Sequence, residues 1–391
     1  MKPHNNARSQ STLLLLIVTL SLSACIPSTP DRTTTAPTMP EPSSISTWLE
    51  ILFTNPEAPQ STNYEGGPDE ALAAAIDKAR LSVEMGANSL NLGSIRDALL
   101  HAHQRGVVVR MVMESDNMGN QEVQQILEAG IPITGDQPEG LMLNNFVVID
   151  RYEVWTGSMK FTAEGAYSDN NNLLRIRSKV IAEDYLVEFN GMFDITLSDP
   201  DAGTATPNPA VSMEGTNLEV SFLPEDALAA RIKELVMGAT QSINYLSPEF
   251  FGAELGGAIA EAGQQVKVAG VVDASMAEFG VPVPGSDVRA DGNKNGSMHE
   301  SVMIIDQKIV IIGAYNFTSE ANEAFHGTNS SLNHSNVMIL FNPEVATVFA
   351  SEFRRIYIHA QVKWSSPGLS STPLPGETIP PPGEIPPPPE P

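Results

Sequence analysis

From Pro68 onward, apolar and polar positions change period several times, and each change marks an element. Pro68 sits where a first helical turn would begin, and Asp69 and Glu70 behind it suit the positive end of a helix dipole. Leu72, Ile76 and Ala79 then recur at helical spacing. Leu81, Val83 and Met85 alternate as a strand does. Ser94 with Asp97 has the spacing of a capping box and opens a helix whose apolar face is Ile95, Ala98, Leu99 and Ala102, with Gly106 to stop it. Val107 to Met113 is apolar apart from Arg110, the pattern of a strand buried on both faces. This order predicts βαβ organisation and an α/β fold.

The pattern then returns. Phe146-Val-Val-Ile-Asp150, continuing through Val154, Gly157, Phe161 and Thr162, reappears as Val302-Met-Ile-Ile-Asp306 with Val310, Gly313, Phe317 and Thr318, at a constant offset of 156. Pro68, Ala71, Leu72, Ala73, Ala74 and Ile76 recur as Pro224, Ala227, Leu228, Ala229, Ala230 and Ile232 at the same offset. Two separate segments sharing one offset imply a duplicated unit. The reading is one α/β unit over 48–198, a linker rich in Pro, Gly, Asp and Thr over 199–216, and a second unit over 217–364.

The two ends differ in composition from this folded part. Lys2 and Arg8 precede an apolar run from Leu13 to Leu20 that is too short to span a bilayer, as in a secretory signal. It closes on Leu22-Ser23-Ala24-Cys25, which resembles a bacterial lipobox. That resemblance implies cleavage after residue 24, a lipid on Cys25, and export to the outer face of a bacterial membrane in the cell envelope. Ile26 stands where some lipoproteins carry an aspartate retention signal, which points to an outer membrane where the host has two. Residues 25–47, rich in Ser, Thr and Pro, read as a tether, and 365–391, with 11 of the 30 prolines, as an extended tail. The tail is either a solvated spacer or a docking peptide for a protein partner.

Charge narrows the function. With 22 Lys+Arg against 47 Asp+Glu the formal charge is −25, which argues against a broad grip on nucleic acid. At 41% apolar residues the chain has material for a core. Its single cysteine allows neither an internal disulfide nor a cysteine zinc cage, and with no Gly-rich nucleotide loop or zinc-type cluster elsewhere no cofactor is expected. Asp291-Gly-Asn293-Lys-Asn295-Gly296 imitates the start of a calcium loop, but its twelfth position is Val302, so it reads as a polar loop.

Both repeated segments resemble the motif region of the phospholipase D superfamily, where each half carries His-x-Lys-x4-Asp followed by a Gly-Ser-x-Asn turn. The resemblance covers most of 48–360. It implies two mixed sheets flanked by helices and packed around a shared cleft, with a phospholipid or other phosphodiester as ligand. In that family one histidine attacks phosphorus, the other protonates the leaving oxygen, lysines hold the non-bridging oxygens and aspartates orient the imidazoles. The chemistry needs these types: a phosphodiester is anionic, and an alkoxide leaves poorly without a proton.

The motif positions depart from that pattern. The first copy reads Leu143-Asn144-Asn145 with Asp150, and the second His299-Glu300-Ser301 with Asp306. The following turns are Gly157-Ser158-Met159-Lys160 and Gly313-Ala314-Tyr315-Asn316, and a family glutamate is replaced by Asn171 and Ser335. Leucine can neither attack phosphorus nor carry a proton, and losing a positioned acid or base costs about 10²–10⁴-fold in rate. The expectation is therefore a membrane-anchored binding module with lost or strongly reduced hydrolysis. The alternative is a hydrolase working through His299, as nucleophile or single base. Catalytic candidates are His299 and Asp306; ligand-binding candidates are Lys160, Ser158, Asn316, Asn145 and Ser301. Asp306 and Asp150 both end apolar strand runs where a carboxylate can instead pair with backbone donors at a turn, the favoured reading for Asp150. Lys160 is either a cation that restores some of the lost charge or an exposed lysine on a turn. His334 and His326 are more simply loop histidines without a role than substitutes for the missing imidazole. His101 and His103 fall on a solvated helix face.

Overall fold

The computed structural model describes residues 43–44, 46–136, 142–194, 206–223, 228–278, 283, 286–314 and 334–361. Cys25, Asn316 and His326 lie outside them, as does the proline-rich tail. In chain order the first repeat comprises β1 (Ser43–Ser44), β2 (Leu49–Phe53), α1 (Pro68–Ile76), β3 (Ser82–Ala87), α2 (Gly93–Gln104) and β4 (Val108–Met113). It continues with α3 (Gln121–Glu128), β5 (Ile133–Gly135), β6 (Asn145–Ile149), β7 (Glu153–Thr156), α4 (Ala163–Tyr167), β8 (Asn172–Arg177) and α5 (Lys179–Phe193). The second repeat comprises β9 (Ala210–Met213), β10 (Thr216–Leu223), α6 (Leu228–Met237), β11 (Ser242–Ser247), α7 (Ala253–Ala262) and β12 (Lys267–Val272). It closes with β13 (Asp287–Ala290), β14 (Val302–Ile305), β15 (Ile309–Gly313), β16 (Ser335–Phe341) and α8 (Pro343–His359).

The two sheets have the same topology. The first runs β1-β2-β8-β7-β6-β3-β4-β5, and the second, read from its other edge, β9-β10-β16-β15-β14-β11-β12-β13. In each, three strands are parallel (β3-β4-β5 and β11-β12-β13) and the rest antiparallel, so the fold is α/β with two mixed sheets flanked by helices. Strand alternation divides the side chains between layers. Val147 and Ile149 of β6 face an outer core with α1, α2 and α3, whereas Phe146 and Val148 face a core shared by both repeats. On β14, Met303 and Ile305 likewise face an outer core with α6 and α7, and Val302 and Ile304 the shared one. Helices α5 and α8 line that shared core through Ile181, Tyr185, Phe189, Val345, Phe349 and Phe353.

Several local readings change. Pro68 does open α1, but α2 starts at Gly93 behind Leu92 with no side-chain cap, and the Ser94 hydroxyl donates to Asp69 at 2.6 Å instead of closing a capping box. Leu81 lies just outside β3 and is exposed, as is Val108 at the start of β4, because both stand at the rim of the sheet. Ser43–Ser44, within the expected tether, pair with β2, and β9 falls inside the expected linker and pairs with β10.

Asp306 does not fit the role of orienting an imidazole. It sits at the β14–β15 turn, with Asp306 and Gln307 both at positive φ, at the opposite end of β14 from His299. Its carboxylate accepts the backbone N–H groups of Thr240, Gln241 and Ser242 at 2.7–3.1 Å and the Thr240 hydroxyl at 2.6 Å. Asp150 does the same for Arg80, Leu81 and Ser82 from the β6–β7 turn. Partial burial pushes the Asp306 carboxyl up, but the Thr240 hydroxyl and the three backbone donors outweigh it and hold it below the usual carboxylate range. Asp306→Ala should cost on the order of 1–3 kcal/mol, since it strands donors that were paired with a charge. Urea unfolding checks this. The loss in wild type should develop as pH falls through the lowered carboxyl pKa and be absent above the unfolded value, because the ionised form is the one the fold favours.

Candidate functional site at the seam between repeats

Each motif segment leaves its own sheet and pairs with the other repeat. Met142 bridges His334, with the Leu143 N–H donating to the His334 carbonyl at 2.8 Å. Met298 bridges Asn170, with the His299 N–H donating to the Asn170 carbonyl at 3.1 Å. A carboxylate clamps each segment from its own parallel strand: Glu114 accepts the Met142 N–H and Asp273 the Met298 N–H, both at 2.8 Å. The two halves are thus related by an approximate two-fold, with Leu143 as the counterpart of His299.

Alternation decides which motif side chains meet. Asn144 and Glu300 turn toward the shared core. Asn144 accepts from Asn336 at 2.7 Å and donates to Glu188 of α5 at 3.4 Å, while Asn336 also accepts from Thr156 and Tyr185. On the other side, Arg355 of α8 forms a two-pronged pair with Glu352 at 2.6 and 2.9 Å and donates to Asn170 at 3.0 Å, whose amide donates to Asp291. Glu300 is fully buried here; burial, then the neighbouring Glu352, pushes its carboxyl well up, toward the neutral acid. Asp291 also accepts the Asn293 N–H, so the calcium-loop imitation serves as a polar turn against Asn170.

His299 and Ser301 point the opposite way, and there His299 meets Lys160 of the first repeat. Gly157 places that turn: it lies at φ 156°, packed so closely on the Asn172 carbonyl that a Cβ would collide. Ser158 is consumed locally, donating to Asn171 at 2.8 Å and accepting from the Asn172 N–H at 3.1 Å. Lys160 then projects beside Asp169 and His299. Burial lowers its pKa and Asp169 opposes this. Asp169 accepts the Ser297 N–H at 2.8 Å and puts its other oxygen 3.9 Å from His299 Nε2. Burial, with Lys160 adding to it and Asp273 and Glu249 opposing, pushes the His299 imidazole down to about 4, so it is neutral at pH 7. Even so, 32% of its side chain remains open to solvent.

The remaining candidates separate on geometry. Asn145 is buried, its amide donating to the Leu143 carbonyl and accepting from the Asn88 N–H. Ser301 is buried beside the first residue of β14. His334 turns toward Glu188 at 3.4 Å, on the shared-core side and away from the face that carries His299. His101 is exposed on α2, beside Asp77. Nothing in the sequence singles out Asp169 or Asp273: Asp169 lies in the loop between α4 and β8, Asp273 directly follows β12, neither belongs to a motif, and only the fold brings them to His299.

The sequence profile described as "Cardiolipin synthase, PLD-like domain" matches residues 72–193 and again 232–357. The chain belongs to this phospholipase D-like family. Among relatives, a phospholipase D of Rickettsia felis is 32% identical over 122 residues, 31% of this chain and 61% of that protein. A mitochondrial cardiolipin hydrolase of Xenopus tropicalis is 30% identical over 118 residues, 30% of this chain and 56% of that protein. The chain therefore spans under two thirds of each relative's length. The solved phosphatidylserine synthase of Haemophilus influenzae superposes with a TM-score of 0.60 at 13% identity, covering 80% of this chain and 87% of that one, a likeness of fold. Leu143, Asn145, His299 and Ser301 stand at the positions that the resemblance assigns to the family's histidines and lysines.

An NMR titration of the His299 ring should give a midpoint near 4. Lys160→Met should raise it, by removing a like charge, and Asp273→Asn should lower it. A midpoint near 6.5, unmoved by Lys160→Met, would contradict the placement.

Proposed function

We propose that this chain is a membrane-anchored phospholipase D-like protein in which phosphodiester hydrolysis is lost or strongly reduced and the cleft between repeats binds a ligand. The observation that carries this reading is Leu143 standing as the two-fold counterpart of His299. The two-step reaction needs one group to attack phosphorus and a second to protonate the leaving oxygen. Leucine supplies neither, and His334, whose backbone carbonyl accepts the Leu143 N–H, turns its imidazole toward Glu188.

Charge supports the same reading. Around His299 the described residues supply one cation, Lys160, against Asp169, Asp273 and Glu249. A dianionic transition state would find little compensation there. A phosphodiester bearing a compensating positive group, or a neutral ligand, fits better than a polyanion. The competing reading, hydrolysis through His299 alone, is favoured by one observation: the imidazole is neutral and partly open, as a nucleophile must be.

A chromogenic phosphodiester assay on the wild type, His299→Ala and the double variant Leu143→His with Asn145→Lys separates the two. The expected result is turnover in the double variant at least about 10²-fold above wild type. Wild-type turnover that His299→Ala abolishes would establish the competing reading instead. For the anchor, metabolic labelling with a radioactive fatty acid should mark the wild type and not Cys25→Ser; label in both would remove the lipoprotein part of the proposal.

A further inference from the structure

At the end of the first sheet farthest from the motif, four large apolar side chains stand in solvent: Leu81 at 65% exposure, Val108 at 57%, Tyr152 at 44% and Val180 at 38%. All four stand beside element ends at this one edge of the repeat. The Val108 N–H donates to the Leu81 carbonyl at 3.1 Å, and the Ser178 N–H, two residues before Val180, donates to the Tyr152 carbonyl at 2.9 Å. Three of the four follow an exposed cation directly in sequence, as Arg80-Leu81, Arg151-Tyr152 and Lys179-Val180. Asp150, the acid in their midst, has its carboxylate turned onto backbone N–H groups.

The second repeat is an internal control. The same backbone bonds identify the counterparts: Lys267 N–H donates to the Gln241 carbonyl as Val108 does to Leu81, and Lys308 N–H to Ile305 as Tyr152 does to Ile149. Counting from the helix caps Ser178 and Asn342, Val180 corresponds to Glu344. All four apolar positions are therefore polar in the other copy: Gln241, Lys267, Lys308 and Glu344. The cations Arg80, Arg151 and Lys179 become Thr240, Gln307 and Pro343. The topology does not require an apolar, basic end; only the first repeat has one.

We propose that this end of the first repeat docks on a lipid surface containing anionic headgroups. The three cations call for an anionic surface, and two copies of a chain with formal charge −25 repel one another overall, which leaves a lipid surface as the anionic partner. Arginine and lysine stems that keep their charge at the headgroups, a tyrosine, and short aliphatic side chains between them are the composition that lies in a bilayer interface. No helix among the described residues is long and apolar enough to cross a membrane, so this contact is peripheral. Strand β6 separates the patch from Leu143 and Asn145, about 17 Å at strand rise. Docking by this end therefore leaves the cleft on the side of the sheet away from the lipid.

Hydrogen–deuterium exchange on the full-length chain carrying Cys25→Ser tests this, with vesicles of phosphatidylcholine alone or with phosphatidylglycerol added. Exchange reads this end of the molecule whichever other segment touches the bilayer. Residues 80–82, 108–109, 151–152 and 179–181 should gain protection on the anionic vesicles, less as salt rises, and not on phosphatidylcholine alone. Each cation near an anionic surface is worth about 1 kcal/mol, so R80T with R151Q and K179A should weaken local binding up to about 100-fold. L81Q with Y152Q and V180Q, which keeps the charge, should reduce it about 10-fold. All positions are exposed, and unchanged thermal midpoints verify folding. No protection on anionic vesicles, or protection that both variants retain, overturns the proposal. So does protection without lipid that follows protein concentration, which would mark a dimer.

Discussion

The two repeats are held by a seam of buried hydrogen bonds in which each motif segment pairs with the opposite half. Buried polar groups must be satisfied, and breaking one partner leaves the other stranded at a cost of a few kcal/mol. Asn336 alone joins Thr156, Asn144 and Tyr185 across the boundary, and Arg355 joins Glu352 to Asn170 and through it to Asp291. Such a network tolerates no slip in register. It fixes the positions of Leu143 and His299 whatever side chains stand there.

The motif positions can therefore vary while the fold keeps its form. The strand period of two sends Asn144 and Glu300 into the seam and their neighbours, Leu143, Asn145, His299 and Ser301, to the other face. The positions that join the halves and those that carry chemistry are interleaved but physically separate. Leucine at 143 costs the seam nothing, since its contribution there is a backbone N–H. Around His299, Lys160 is one cation among the carboxylates Asp169, Asp273 and Glu249, and burial holds the imidazole uncharged.

The duplication also sets a standard for judging surface features. Where both repeats agree, as in the aspartates at the two hairpin turns, the residue serves the fold: Asp150 and Asp306 each gather three backbone donors. Where they differ, as at Leu81 against Gln241, or Leu143 against His299, the fold permits either, and the difference belongs to what each half does.

The α/β class and the duplication were legible in one dimension, because they rest on local periodicity and on an offset that survives along the chain, and the resemblance of the repeated segment named the family. Helix starts and strand rims were read less well: Ser94 lost its capping role to a bond with Asp69, a residue 25 positions earlier. Only the tertiary structure decided that Asp306 holds a turn, that His334 faces the shared core, and that Asp169 and Lys160 of one repeat meet His299 of the other. Those facts depend on which face of a strand a residue takes and which distant strand lies against it. Neither is encoded in the spacing of residues along a single chain.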